Sequence, residues 1–171
     1  MTGDPRSVLS LTSSELIQIP LMIYHICPTQ YIPIAQNWMR VVADHNLFRH
    51  VEIKVHDQEV QRVVDATLDA FDRGGLRPLQ VRVSSFSFDF IHLIRRYRPE
   101  LDVDIATVQL ADVPLDTHES LGVVSVHLDI DYLDCQAIES AIGRGFEVCI
   151  YTVNSTKQLA SLPLDLIDSV F

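Results

Sequence analysis

The residues best suited to chemistry stand two apart: Glu52 and Lys54, on either side of Ile53. They lie in the short apolar run 51–55, which reads as a buried strand. Side chains alternate along a strand, so the carboxylate and the ammonium point to the same face. Opposite charges on the inward face of a buried strand cost free energy unless something there needs them. A metal ion, a phosphate or both would meet that need. Further polar groups recur near the ends of later apolar runs: Ser84 and Ser85, His127, and 151–154 from Tyr151 to Asn154. A parallel barrel keeps its active residues at the C-terminal ends of its strands.

From residue 33 onward the chain reads as alternating helix and strand. Pro33 suits a first helical turn, and Ile34, Trp38, Val41 and Val42 follow at helical spacing. Strands are expected at 51–55, 79–84, 103–108, 123–128, 147–153 and 166–171. A helix at 58–73 carries Val60, Val63, Val64, Leu68 and Phe71 on one face and closes at Gly74-Gly75. Others are expected at 86–98, stopped by Pro99, at 135–142, and at 155–162 with a capping box of Ser155 and Gln158. Near-continuous apolar strands separated by helices imply a parallel sheet covered on its outer face. A doubly wound sheet and a barrel both give this pattern. The absence of G-x-G-x-x-G and G-x-x-x-x-G-K-[ST] weakens the nucleotide-binding readings, and the polar strand ends favour the barrel.

The 171 residues suffice for one domain with a full core, and the expectation is a single domain over 1–171 with an irregular segment at 1–30. Hydrophobic residues make up 47% and charged residues 21%, a globular balance. Thirteen basic against twenty-three acidic residues leave a net charge of −10, which argues against nucleic acid or an anionic membrane as partner. Arg95, Arg96 and Arg98 read as the solvated end of a helix. Cys27, Cys135 and Cys149 show neither disulfide nor zinc spacing, which fits a reducing compartment. No signal peptide is visible, and the apolar segment 16–27 is too short to span a bilayer, so a cytoplasmic location is expected.

Several ordered motifs make the chain resemble the glycerophosphodiester phosphodiesterase family. They are Thr2-Gly3-Asp4 through Leu16, Ile32-Pro33, Val51-Glu52-Ile53-Lys54, Ser84-Ser85-Phe86-Ser87, Pro99-Glu100-Leu101, Gly145 through Asn154, and Leu166 through Phe171. The second of these departs from the family's I-P-T-L-E, carrying Ile34, Ala35 and Gln36. The resemblance implies an incomplete TIM (β/α)8 barrel, α/β in class, with about six parallel strands and the first two missing. The family's H-R-G strand, P-E-N-T loop, E-x-D strand and H-D pair are not found, so an N-terminally truncated member is expected. His56-Asp57 follows the Glu-Ile-Lys strand and is therefore not the family's H-D pair.

The resemblance also implies roles. The family reaction is metal-dependent hydrolysis of glycerophosphodiesters to glycerol 3-phosphate and an alcohol. Glu52 would be the remaining ligand for a divalent cation, Mg2+ or Ca2+. Lys54 would stabilise a phosphate, or else pair with Glu52. Ser84 and Ser85 would donate to the phosphate or cap the next helix. Tyr151 would pack on the glycerol or head group, or fill the core. His127 resembles a histidine found here in some members, the alternative being a satisfied, partly buried ring. His25, His45, His50, His92 and His118 show no ligand spacing. The expected partner is a small glycerophosphodiester or phosphate, the chain alone being weak or inactive. The alternative is a catalytically dead member serving as a binding or interaction module. Open barrel edges imply pairing with a second copy, or plugging of the gap by 16–27.

Overall fold

The computed structural model describes residues 3–21, 30–45, 47–55, 59–108, 110 and 114–171. His56-Asp57, His25, Cys27 and the second half of the segment 16–27 lie outside the described residues.

Six strands form one sheet: β1 (Arg49–Glu52), β2 (Val81–Ser85), β3 (Asp102–Thr107), β4 (Ser125–Asp129), β5 (Glu147–Tyr151) and β6 (Ser169–Val170). Every pairing is parallel, and the order in space is the order in sequence. A doubly wound sheet reverses its strand order midway. Right-handed crossovers without a reversal put every connection on one side, and the twisted sheet curls. The result is a curled six-strand portion of a TIM-type barrel.

The helices follow from local sequence. α1 (Ser13–Leu16) opens on a reciprocal capping box between Thr12 and Glu15. α2 (Ala35–Asp44) lies against α3 (Val60–Gly74), which buries Val64, Thr67 and Phe71. α3 ends where Gly75 takes a left-handed φ of 71°, a conformation that only glycine adopts cheaply. α4 (Phe88–Tyr97) is capped by Ser87, whose hydroxyl accepts from the Phe90 N–H, and it buries Phe90, Ile91 and Ile94. α5 (Leu115–Ser120), α6 (Cys135–Gly143) and α7 (Thr156–Ala160) complete the outer layer. At the start of α7 the Ser155 hydroxyl accepts from the Gln158 N–H, and Gln158 Oε1 reaches back to accept from the Asn154 N–H. Among the described residues no helix is long and apolar enough to cross a membrane.

Three expectations need correction. The strands are not near-continuously apolar; they alternate. One face carries Val81, Val83, Val103, Ile105, Val126, Leu128, Val148 and Ile150, all buried in the main core with Phe71, Phe90 and Ile138. The other face carries His50, Glu52, Arg82, Ser84, Asp104, Ser125, His127, Cys149 and Tyr151. Nor is the first strand buried at 51–55. It is the half-buried edge strand Arg49–Glu52, and Lys54 lies beyond its end. Residues 79–80, expected to open the strand at 79–84, belong instead to a 3-10 turn, Pro78–Gln80, because Pro78 supplies no ladder donor.

The curl brings the two ends of the sheet together on the polar face. The Phe171 ring, just past β6, lies 5.2 Å from the His50 ring of β1 and 5.3 Å from the His127 ring of β4.

Candidate functional site

The parallel register stacks the polar side chains. His50 pairs with Arg82, Glu52 with Ser84, Ser84 with Asp104, Asp104 with Ser125, and His127 with Cys149. At the C-terminal end of this stack is a cavity of about 180 Å³, lined by Glu52, Ser84, His127 and Tyr151 together with His50, Phe171 and others. Four of the six residues singled out from sequence thus meet in one place. Lys54 and Ser85 do not line it.

Lys54 turns to solvent. Its side chain is 84% exposed, and its Nζ is 3.3 Å from Glu52 Oε1, whose side chain is 42% exposed. The direct pairing expected from their spacing is therefore present, in a screened setting rather than a buried one. Ser85 faces the helix layer. Its hydroxyl donates to the Ile53 carbonyl at 2.7 Å and accepts from the Ser87 N–H at 3.1 Å. It ties the chain after β1 to β2 and shapes the turn into α4; the cap of that helix is Ser87. Ser84 is 2% exposed on the cavity side. The Tyr151 hydroxyl donates to the Thr107 carbonyl at 2.9 Å. Burial, with Asp129 and Glu52 adding negative charge nearby, pushes the Tyr151 pKa up to about 12.

Beneath the cavity lies a charged group that no motif announced. Asp104 is fully buried, and one carboxylate oxygen, Oδ1, accepts from the Ser125 N–H at 2.9 Å. The other, Oδ2, is 3.2 Å from His127 Nε2, 3.6 Å from His50 Nδ1 and 3.8 Å from Arg82 Nε. Arg82 is drawn toward Glu147, to which it donates at 2.5 Å, and lies 3.9 Å from Asp102. Burial opposes charge on His127, but the Asp104 carboxylate and Cys149 outweigh it and lift its pKa to about 9. At His50 burial prevails over the attraction of Asp104, and the pKa falls below 6.5. His50, Asp104 and His127 place one potential ligand atom each within 4.8 Å of one another. The reading that His50 lacks ligand partners is thus corrected: its partners come from β3 and β4, far along the chain. The available signal was the polar residue at every second strand position: His50-Glu52, Arg82-Ser84, Asp102-Asp104, Ser125-His127, Glu147-Cys149.

Glu52 is not a member of that group. Among the described residues it joins no set of three potential metal ligands, and it is the one carboxylate on the cavity wall. Mg2+ and Ca2+ take six or more oxygens, so this setting does not fit a dedicated hard-cation site.

Similarity to known proteins agrees with this architecture. No curated protein matches the chain. Solved structures do. A Silicibacter pomeroyi protein named as a glycerophosphoryl diester phosphodiesterase superposes with a TM-score of 0.82 at 18% identity, covering 99% of this chain and 67% of its own. An Oleispira antarctica phosphodiesterase, solved in complex with the product sn-glycerol-3-phosphate, gives 0.75 at 18% identity over 82% of this chain and 57% of its own. A glycerophosphodiester phosphodiesterase from Parabacteroides distasonis gives 0.74 at 16% identity, covering 93% and 65%. The chain thus spans between 57% and 67% of the length of these three proteins. At such identities the likeness establishes the fold. The sequence pattern of the glycerophosphoryl diester phosphodiesterase family extends over residues 7–171, and the chain belongs to that family.

Proposed function

We propose that the chain binds the phosphate end of a glycerophosphodiester, or of glycerol 3-phosphate, in the cavity at the strand ends, and that alone it hydrolyses such esters at most in traces. The observation that carries this is the convergence of Glu52, Ser84, His127 and Tyr151 on one small space. Its volume, about 180 Å³, is below the ~300–1,000 Å³ of sites for drug-sized ligands and suits a small polar one. Lys54 sits beside Glu52, and in the metal-free chain His127 stays protonated at neutral pH against the buried Asp104, so the cavity wall offers an imidazolium ring to an anion. The Ser84 hydroxyl, buried on the cavity side, supplies a donor.

Weak turnover follows from the same geometry. The family reaction, as the resemblance carries it over, uses a divalent cation and paired acid–base groups. Glu52 as lone wall carboxylate holds no such ion tightly. Proton transfer by positioned groups supplies about 10²–10⁴-fold, and groups that act as a unit are lost together. The open β1 edge gives this reading a further part: pairing with a second copy, which sedimentation would detect as a dimer.

The test is hydrolysis of glycerophosphocholine with Mg2+ or Ca2+ supplied, beside a Glu52→Gln control prepared identically. Activity at background in both is expected. Metal-dependent turnover of ordinary enzymatic size, absent from the Glu52→Gln control, would overturn the weak-activity reading.

A further inference from the structure

The Asp104 cluster is an unusual thing to bury. Three of its polar atoms, His50 Nδ1, Asp104 Oδ2 and Arg82 Nε, are shielded from solvent without a hydrogen-bond partner. A buried polar atom left that way loses its hydration with nothing in return. The Arg82 charge is met by Glu147 and Asp102. Asp104 Oδ2 faces His127 Nε2 at 3.2 Å, whereas His50 Nδ1, 3.6 Å from the same oxygen, has no closer partner.

We propose that His50 Nδ1, Asp104 Oδ2 and His127 Nε2 form a binding site for one borderline divalent transition-metal ion, of the Zn2+ or Fe2+ class. The donor set decides the class. Two imidazoles and one carboxylate suit zinc or iron, whereas Mg2+ and Ca2+ prefer an all-oxygen shell. Two of the three spacings match a tetrahedral site, in which bonds of about 2.0–2.2 Å put ligand atoms about 3.4 Å apart, and all three atoms lie within 4.8 Å of one another. Asp104 Oδ2 lies 3.2 Å from His127 Nε2 and 3.6 Å from His50 Nδ1.

The support around the ligands agrees too. The Ser125 N–H holds Asp104 Oδ1, which fixes the carboxylate and aims Oδ2 at the two rings. Phe48 and Phe171 pack edge-on against His50 at 5.4 and 5.2 Å and limit its rotation. Both histidines line the cavity, so a coordination position faces it and an oxygen of a bound anion can complete the shell. This site is separate from Glu52, and its existence does not depend on the phosphate reading.

The experiment uses the chelator-treated chain carrying Cys135→Ser, which removes an exposed thiol from the competition. Co2+ is titrated and followed by its visible d–d absorption, and Zn2+ is titrated by calorimetry. One ion per chain is expected, with a low-symmetry cobalt spectrum that Zn2+ abolishes and excess Mg2+ does not. Loss of an outer-shell partner typically weakens a site by about 10–100-fold, so His50→Gln, Asp104→Asn and His127→Gln should each weaken it by at least about 100-fold. Glu52→Gln should leave the affinity unchanged. His50 is half-buried on the edge strand, so its variant carries the test even if the two buried variants fail to fold, with far-UV circular dichroism checking that it is folded. Absence of stoichiometric binding, an affinity indifferent to His50→Gln, or binding that depends on Glu52 or is displaced by Mg2+ would each overturn the proposal.

Discussion

Two charged groups share the polar face of this sheet and differ in almost every physical respect. Glu52 and Lys54 meet 3.3 Å apart at the edge, open to water. Asp104, His127, His50 and Arg82 meet at similar distances inside the curl, with Asp104 wholly shielded. Coulomb attraction at 4 Å is about 1 kcal/mol in bulk water and about 4 kcal/mol at an effective dielectric of 20. The edge pair is the one a motif reveals. The interior group is the one whose charges have nowhere else to go. Recognisable chemistry and energetic weight therefore reside in different parts of one face.

The comparison can be broken most forcefully at Asp104. Asp104→Ala leaves the His127 imidazolium buried without its counter-charge and takes one of three carboxylates away from Arg82. Breaking a buried pair from one side costs about 3–5 kcal/mol, and urea denaturation should show a loss of that size. A loss below ~1 kcal/mol would mean that water reaches the cluster freely.

Next in size is the pH dependence of the metal-free chain. The folded pKa of His127 is raised from 6.5 to about 9. The stability it contributes is thus fully present below pH 6.5 and is lost as pH rises through 9, up to about 3 kcal/mol. His50 acts in the other direction. Its folded pKa is depressed, so stability falls on acidification below 6.5. Denaturation midpoints measured from pH 5 to 10 should decline on the alkaline side, and His127→Gln should flatten that decline.

Ser85 gives a smaller effect. Ser85→Ala removes the bond to the Ile53 carbonyl and leaves that acceptor unpaired, a loss of about 1–2 kcal/mol. Substrate or phosphate affinity should not change, because the side chain faces the helices. A selective fall in affinity would return Ser85 to the binding site. Smallest is the edge pair itself: Lys54→Ala should cost no more than about 0.5 kcal/mol, since exposed ion pairs contribute little. A loss above 2 kcal/mol would show that the pair is desolvated.

Much of the fold was legible because it rests on local periodicity. The apolar stripe of α3, the Gly75 stop, the capping of α7 and the Val-Ile richness of the strands are properties of neighbouring residues; the alternation within those strands was missed. The parallel order followed from them. What local sequence does not carry is which strand is an edge. The run 51–55 looks as apolar as the central strands, yet only one neighbour pairs with it, so Lys54 leaves the sheet. Ser84 and Ser85 show the same limit at single-residue scale: adjacent in sequence, they face opposite sides of the sheet. Within the site, Glu52, Ser84 and Tyr151 were found because each belongs to a motif, and His127 because it stands at the polar end of an apolar run. His50, Arg82 and Asp104 belong to none. They become a site only when the register of three parallel pairings sets them side by side, and that alignment is a long-range property.

The central claim is that the cavity above the buried cluster receives the phosphate end of a glycerol phosphate ester. The most direct measurement is a titration of the isotopically labelled chain with sn-glycerol 3-phosphate, followed by NMR of the backbone amides and histidine rings. The account predicts saturable shifts at Ser84, His127, Tyr151 and Thr152, weakened at least tenfold by His127→Gln and scarcely altered by Ser85→Ala. Shifts confined to the Lys54 surface, or no saturable shift at millimolar ligand, would contradict it.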